Sequence, residues 1–116
     1  MPQKQLRLRK SRDFLLVARN GRAFNSRSIV LRIKPNEMGI IRFGFVVSRI
    51  IGGAVTRNKV KRRLKHIVQE VQIKNNWDIV ISARKNAKVI DFAKLKKETR
   101  ELLAKAEVLE NVISIK

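Results

Sequence analysis

Cysteine is absent from this chain of 116 residues, and only one histidine and nine acidic residues are present. Without cysteine there is no disulfide framework, no thiolate metal site and no thiol nucleophile. One histidine and unclustered carboxylates leave no zinc ligand set, so no metal is expected on the protein. The same scarcity leaves no Ser-His-Asp set and no carboxylate pair, and Gly52-Gly53 lacks the following GK[ST] of a P-loop. His66 stands alone and reads as a surface or RNA-contacting residue rather than a general base. Long apolar runs are missing, and the first ten residues, M-P-Q-K-Q-L-R-L-R-K, have no signal-peptide core. A cytoplasmic location and no membrane partner are the expectation, since the most basic segment also lacks the aromatic anchors of a membrane-surface helix.

What is abundant is positive charge. The 28 Lys and Arg residues give a net charge of +19, far more than solubility requires, which implies a polyanionic partner and above all nucleic acid. The charge is uneven: residues 1–66 carry 18 cations against Asp13 and Glu37, whereas residues 67–116 carry 10 against seven acids. At this length a single domain is expected over 1–116, with a basic arm at 1–10 and a tail at 108–116.

Ser11 is placed to cap a helix running to about Arg19, with Phe14, Leu15 and Ala18 on one side and Asn20-Gly21 as its stop. Phe14 suits either a core anchor or a base-stacking platform. Ile29, Leu31 and Ile33 alternate with Val30, Arg32 and Lys34 in a strand, and Ile41, Phe43, Phe45 and Val47 alternate with Arg42, Gly44, Val46 and Ser48 in the next. The two strands share an apolar face for helices to cover and a mixed basic face open to a ligand. Nothing acidic is near in sequence to balance Arg32, Lys34 and Arg42, and Gly44 permits close backbone approach.

Ala54 to His66 contains six Lys or Arg residues and no acid. In a helix from about residue 54 to Asn75-Asn76, Val60, Leu64, Ile67, Val68 and Val71 fall within one arc of about 100°. Arg57, Lys61 and Lys65 form a ladder beside that seam, Asn58 and Arg62 lie opposite it, and Lys59 and Arg63 are on the far flank. Asp78 to Ala83 reads as a buried strand, parallel to the strand at 41–48 through this helical connection. Asp91 caps a last helix with Phe92, Leu95, Leu102, Leu103 and Ala106 inward, leaving Lys94, Lys97, Glu98 and Glu101 as a solvated face. The expected fold is an α+β two-layer sandwich, a mixed sheet of about four strands with helices on one face, in the order αβββαβα. An open basic sheet face beside a Phe suits single-stranded or structured RNA better than duplex DNA, for which no helix-turn-helix is visible.

Ser48-Arg49 followed by Gly52-Gly53-Ala54-Val55-Thr56-Arg57-Asn58-Lys59-Val60-Lys61-Arg62-Arg63-Leu64-Lys65 resembles the signature of the bacterial ribonuclease P protein subunit, where an arginine-asparagine-arginine triplet opens a basic helix. Asp13-Phe14, Asn20-Gly21 and Asp78-Ile79-Val80-Ile81-Ser82-Ala83-Arg84 match that family in order and spacing. The resemblance implies a protein subunit of an RNA-based endoribonuclease. In that family the RNA subunit hydrolyses the bond that releases the 5′ leader of precursor tRNA, using Mg²⁺ bound mainly by RNA. It implies a ribosomal protein S5 domain 2-like fold with a left-handed βαβ crossover, no catalytic residues in the protein and no small-molecule substrate. The partners implied are the catalytic RNA and precursor tRNA. Carried over residue by residue, Arg49, Arg57, Asn58, Lys59, Lys61, Arg62 and Lys65 would grip the catalytic RNA. Phe14, Arg32, Lys34 and Arg42 would line the leader site, with Phe24 as a possible substitute aromatic.

This chain departs from the family pattern at Lys59, which keeps the charge of the triplet's last arginine but not its bidentate geometry. It also has Ala18 and Arg32 where further aromatics often stand. Leader binding here should therefore lean on charge more than on stacking. Two other classes share the charge and the lack of catalytic groups: a ribosomal protein or RNA chaperone of similar fold, and a nuclease acting without RNA.

Overall fold

The structure, a computed structural model, describes residues 5–109. In chain order the elements are β1 (Gln5–Arg7), α1 (Ser11–Asn20), β2 (Arg22–Asn25), β3 (Ile29–Pro35), β4 (Ile41–Val46), α2 (Ala54–Gln69), β5 (Trp77–Ala83) and α3 (Phe92–Lys105). Two 3₁₀ turns, Arg49–Ile51 and Lys85–Lys88, flank α2 and β5. The strands form one mixed sheet in the order β1-β4-β5-β3-β2. β4 and β5 are parallel, as the helical connection between them requires, while β3 is antiparallel to both β5 and β2.

Alternation decides which face is buried. Ile29, Leu31 and Ile33 of β3, Ile41 and Phe43 of β4, and Ile79 and Ile81 of β5 all point to one side and are almost fully enclosed. They meet the seam of α2, Val60, Leu64, Ile67 and Val68, and the inner side of α3, Leu95, Leu102 and Leu103. Each such side chain contributes roughly 1.5–3 kcal/mol on burial, which makes this layer the main source of stability. Glu70 holds both His66 (3.2 Å) and Lys96 (2.6 Å), linking α2 to α3 at the surface.

The sheet has five strands rather than about four, because part of the expected arm pairs with it. Gln5, Leu6 and Arg7 lie in register with Ile41, Arg42 and Phe43, and the Leu8 amide donates to the Phe43 carbonyl at 2.8 Å. Residues 1–4 of that arm and 110–116 of the expected tail lie outside the described residues, whereas Val108 is buried and Leu109 bridges Ile73.

Nor do the helices share one face. α1 packs on the other side of the sheet, where Phe14 and Val17 meet Leu8 and Val80 in a small second cluster. Val17 is fully buried, while Leu15, expected inward, is 50% exposed. Gly44 makes this docking possible: a Cβ there would stand 2.4 Å from the Phe14 ring.

Other boundaries shift for local reasons. Lys10, not Ser11, occupies the N-cap of α1, with no side-chain bond. α2 ends at Gln69, short of Asn75, and Val71 and Ile73 are both buried beyond it. Two residues apart, they share a face only in extended chain, so the helix must stop for both to reach the core. The turn before β5 is set by Asn76 at φ 74°, whose side chain accepts the Gly39 amide at 2.7 Å.

Candidate RNA interface

The site is built on two surfaces that meet along the sheet. The first is α2. Gly52, at φ 151°, and Gly53 turn the chain into the helix without a side-chain cap and without an acid in the first turn. The apolar seam then fixes the rotation of the helix, and the cations fall where the angular reading placed them. Arg57, Lys61 and Lys65 are half-buried beside the sheet, and Asn58, Lys59 and Arg62 are exposed. Arg49 is exposed in the preceding 3₁₀ turn. Arg63 is half-buried on the far flank and donates to the Ile90 carbonyl at 3.4 Å.

The electrostatics of the ladder are unfavourable in the protein alone. Desolvation, then the neighbouring positive charges of Arg7 and Lys61, hold Lys65 below the ordinary lysine value. Arg57 Nε is buried and lacks a hydrogen-bond partner. Among the described residues no salt bridge balances Arg57, Lys61 or Lys65. Arg7 was not anticipated from sequence; β1 brings it to the ladder from the edge of the sheet.

The second surface is a cleft of about 400 Å³ between α1 and the sheet, lined by Ser11, Phe14, Leu15, Ala18, Arg32, Val46, Val80 and Ser82. Arg32 is its charged residue, and no acid lines it. Phe14 is half-buried at its base and pressed against Gly44, so its ring is part of the small core as well as of the cleft. Of the two alternatives left open for that residue, the packing contact is the one present, and the ring also borders the cleft.

Three residues expected in this cleft, Phe24, Arg42 and Lys34, do not line it. Phe24 pairs with Leu31 on β3 and packs against the main core, on the opposite face of the sheet, with the Arg22 guanidinium 5.2 Å from its ring centroid. Strand parity places it there, since Ala23 and Arg32 are the pair that share the cleft face. Arg42 faces the correct side but is not unbalanced. Its Nε and Nη2 donate to both oxygens of Asp78 at 2.8 and 2.7 Å, and Nη1 reaches Asp13 of α1 at 3.4 Å. Asp78 is 36 residues away in sequence but directly opposite in the parallel register. The hydrogen bonds to Asp78, and after them its charge, keep the Arg42 guanidinium above its ordinary value, burial opposing. Lys34 stays beside this group, away from the cleft, and donates to the Pro35 carbonyl at 3.3 Å.

Glu98, read as a solvated residue, is also structural. Its carboxylate accepts from the Ser26 hydroxyl (2.8 Å), the Ser28 amide (3.0 Å) and the Ser28 hydroxyl (3.1 Å), tying α3 to the β2–β3 turn. The exposed His66, paired with Glu70 and 5.7 Å from the Phe92 ring, belongs to the α2–α3 surface. No helix among the described residues is long and apolar enough to cross a membrane.

Comparison with known proteins agrees with this geometry. A sequence model of the family Ribonuclease P matches residues 1–107. The ribonuclease P protein component of Roseiflexus castenholzii is 36% identical over 111 residues, covering 93% of this chain and 91% of that protein. That of Dehalococcoides mccartyi is 34% identical over 103 residues, covering 89% and 86%. Among solved structures, the RNase P protein of Staphylococcus aureus superposes with a TM-score of 0.84 at 30% identity, over 92% of this chain and all of that one. The Thermotoga maritima RNase P protein does so at 0.76 and 35%, over 84% and 94%. Matched by the family model over residues 1–107 and 34% and 36% identical to relatives along most of both chains, the chain belongs to the ribonuclease P protein component family.

Proposed function

We propose that the chain, as a single RNA-binding domain over 1–116, divides the work of a ribonuclease P subunit between its two surfaces. α2 grips the catalytic RNA through Arg57, Asn58, Lys59, Lys61, Arg62 and Lys65, with Arg49 before it and Arg7 beside it. The cleft between α1 and the sheet holds the single-stranded 5′ leader of precursor tRNA, with Arg32 toward its phosphates and Phe14 as the apolar floor. Phe24, Lys34 and Arg42 leave the set of leader contacts.

The observation that carries the reading is the half-buried ladder, which makes no salt bridge among the described residues and whose counter-charge a polyanion would supply. On the family resemblance, the reading assigns Mg²⁺ and the chemistry to the RNA. A cytoplasmic location and the left-handed β4-α2-β5 crossover of a ribosomal protein S5 domain 2-like fold belong to the same reading. Family membership favours it over a ribosomal protein or RNA chaperone.

Reconstitution tests it. Added to a bacterial ribonuclease P RNA at low Mg²⁺, the protein is expected to restore cleavage of precursor tRNA at the mature 5′ end. Failure to do so alongside tight ribosomal RNA binding would favour the chaperone reading, and cleavage by the protein without RNA would overturn the assignment of chemistry to the RNA.

A further inference from the structure

We propose that Asp13 is a positioning residue for the leader cleft, acting through Arg42. The inference rests on the assignment of that cleft to the leader and identifies what sets its aperture.

Arg42 is an anchor fixed to the sheet. Two of its nitrogens are held by Asp78, whose side chain is 4% exposed, and Asp78 is held in turn by Asn36 Nδ2 at 2.8 Å. The remaining guanidinium arm points at Asp13, the one side chain of α1 that makes a charged contact with the sheet among the described residues. α1 has little else to hold it. Its apolar attachment is the cluster of Leu8, Val17, Val80 and Phe14, against 20 buried residues in the main core.

Helical spacing then divides α1 into two flanks. With Phe14 and Val17 facing the sheet, Ser11, Leu15 and Ala18 line the cleft on one side, while Asp13 and Leu16 lie on the other beside Lys34, Arg42 and Asp78. The ion pair fastens the flank away from the cleft. Releasing it lets α1 roll over its small apolar contact, and the roll changes the distance from Leu15 and Ala18 to Arg32 and Val46.

Charge and position make opposite forecasts, which gives the test its force. A carboxylate near a site for a polyanion repels it, so deleting a merely solvated acid strengthens leader binding. Deleting a positioning acid weakens it. The measurement is the affinity of the reconstituted holoenzyme for precursor tRNA with a leader, divided by its affinity for the same tRNA without one. For Asp13→Asn this ratio is expected to fall by about threefold to tenfold, with leaderless affinity unchanged, and Asp13→Glu is expected to lie between Asn and the unaltered protein. A ratio for Asp13→Asn equal to or above the unaltered value overturns the proposal. Should that variant lose catalytic-RNA binding through misfolding, Asp13→Glu serves alone, and an unchanged ratio again overturns it. If the unaltered protein itself shows no leader dependence, the assignment of the cleft fails first, a result separable from failure of the positioning role.

Discussion

At Gly44 and Phe14 a single missing side chain determines whether the cleft between α1 and the sheet has a floor. The position is half-way along β4, where glycine weakens a strand, and the compensation is the aromatic ring that occupies the vacated space. Gly44→Ala puts a methyl group 2.4 and 2.6 Å from two ring carbons, so the ring or the helix carrying it must move. The expected cost is about 1–3 kcal/mol, as for other overpacked sites, seen as a lower urea midpoint with unchanged slope. An unaltered midpoint would mean that the ring pivots freely and is no part of the small core. Arg42 shows the complementary case. It looked like a ligand contact because no acid is near in sequence, yet its partner was in the sequence throughout, on a strand reached only through the parallel pairing.

At the scale of elements, α2 opposes stability to function. In the free protein Lys65 is disfavoured as an ammonium by desolvation, Arg7 and Lys61. Its folded pKa lies below the unfolded value of 10.5, so in between the unfolded chain binds more protons and stability rises with pH. Below that window the penalty is present in full. Lys65→Gln should therefore raise the thermal midpoint of the RNA-free protein at neutral pH and low salt, and remove the pH dependence just below 10.5. The same variant should bind the catalytic RNA less tightly, with a salt slope lower by about one. Equal midpoints would show that the ladder is not strained. Much of this element was legible in sequence, because a 3.6-residue period fixes rotation once the seam is known: the burial of Val60, Leu64 and Ile67 and the exposure of Asn58 and Arg62 follow from it. The strands and their inner faces were legible for the same reason, at period two. Pairings between distant segments were not. Arg7 joins the ladder only through an edge strand of three residues, too short for alternation to reveal. Glu98 meets Ser28 across 70 residues, and the cleft face of Phe24 was lost to strand parity in a segment of four residues with no clear period.

For the whole molecule, the distribution of charge bears on folding as well as on binding. Residues 1–66 hold 18 of the 28 cations and include β1, α1, the two central basic strand positions and most of α2, so the elements that form both RNA surfaces also repel one another. Among the described residues, the acids that relieve this repulsion, Asp13 and Asp78, form salt bridges with Arg42 and with no other cation, and the ladder of α2 has no salt bridge. A multivalent anion that occupies the folded surface and not the unfolded chain stabilises by mass action, about 2.7 kcal/mol at a concentration one hundred times its dissociation constant. General screening by salt acts on every charge pair and depends only on ionic strength. The two are separated by melting the protein in sulfate and in chloride at matched ionic strength. A higher midpoint in sulfate is expected, and it should diminish in Lys65→Gln, which removes one cation from the ladder. Equal midpoints in the two salts would mean that self-repulsion is relieved by screening alone and that the RNA surfaces are fully formed before any anion is bound.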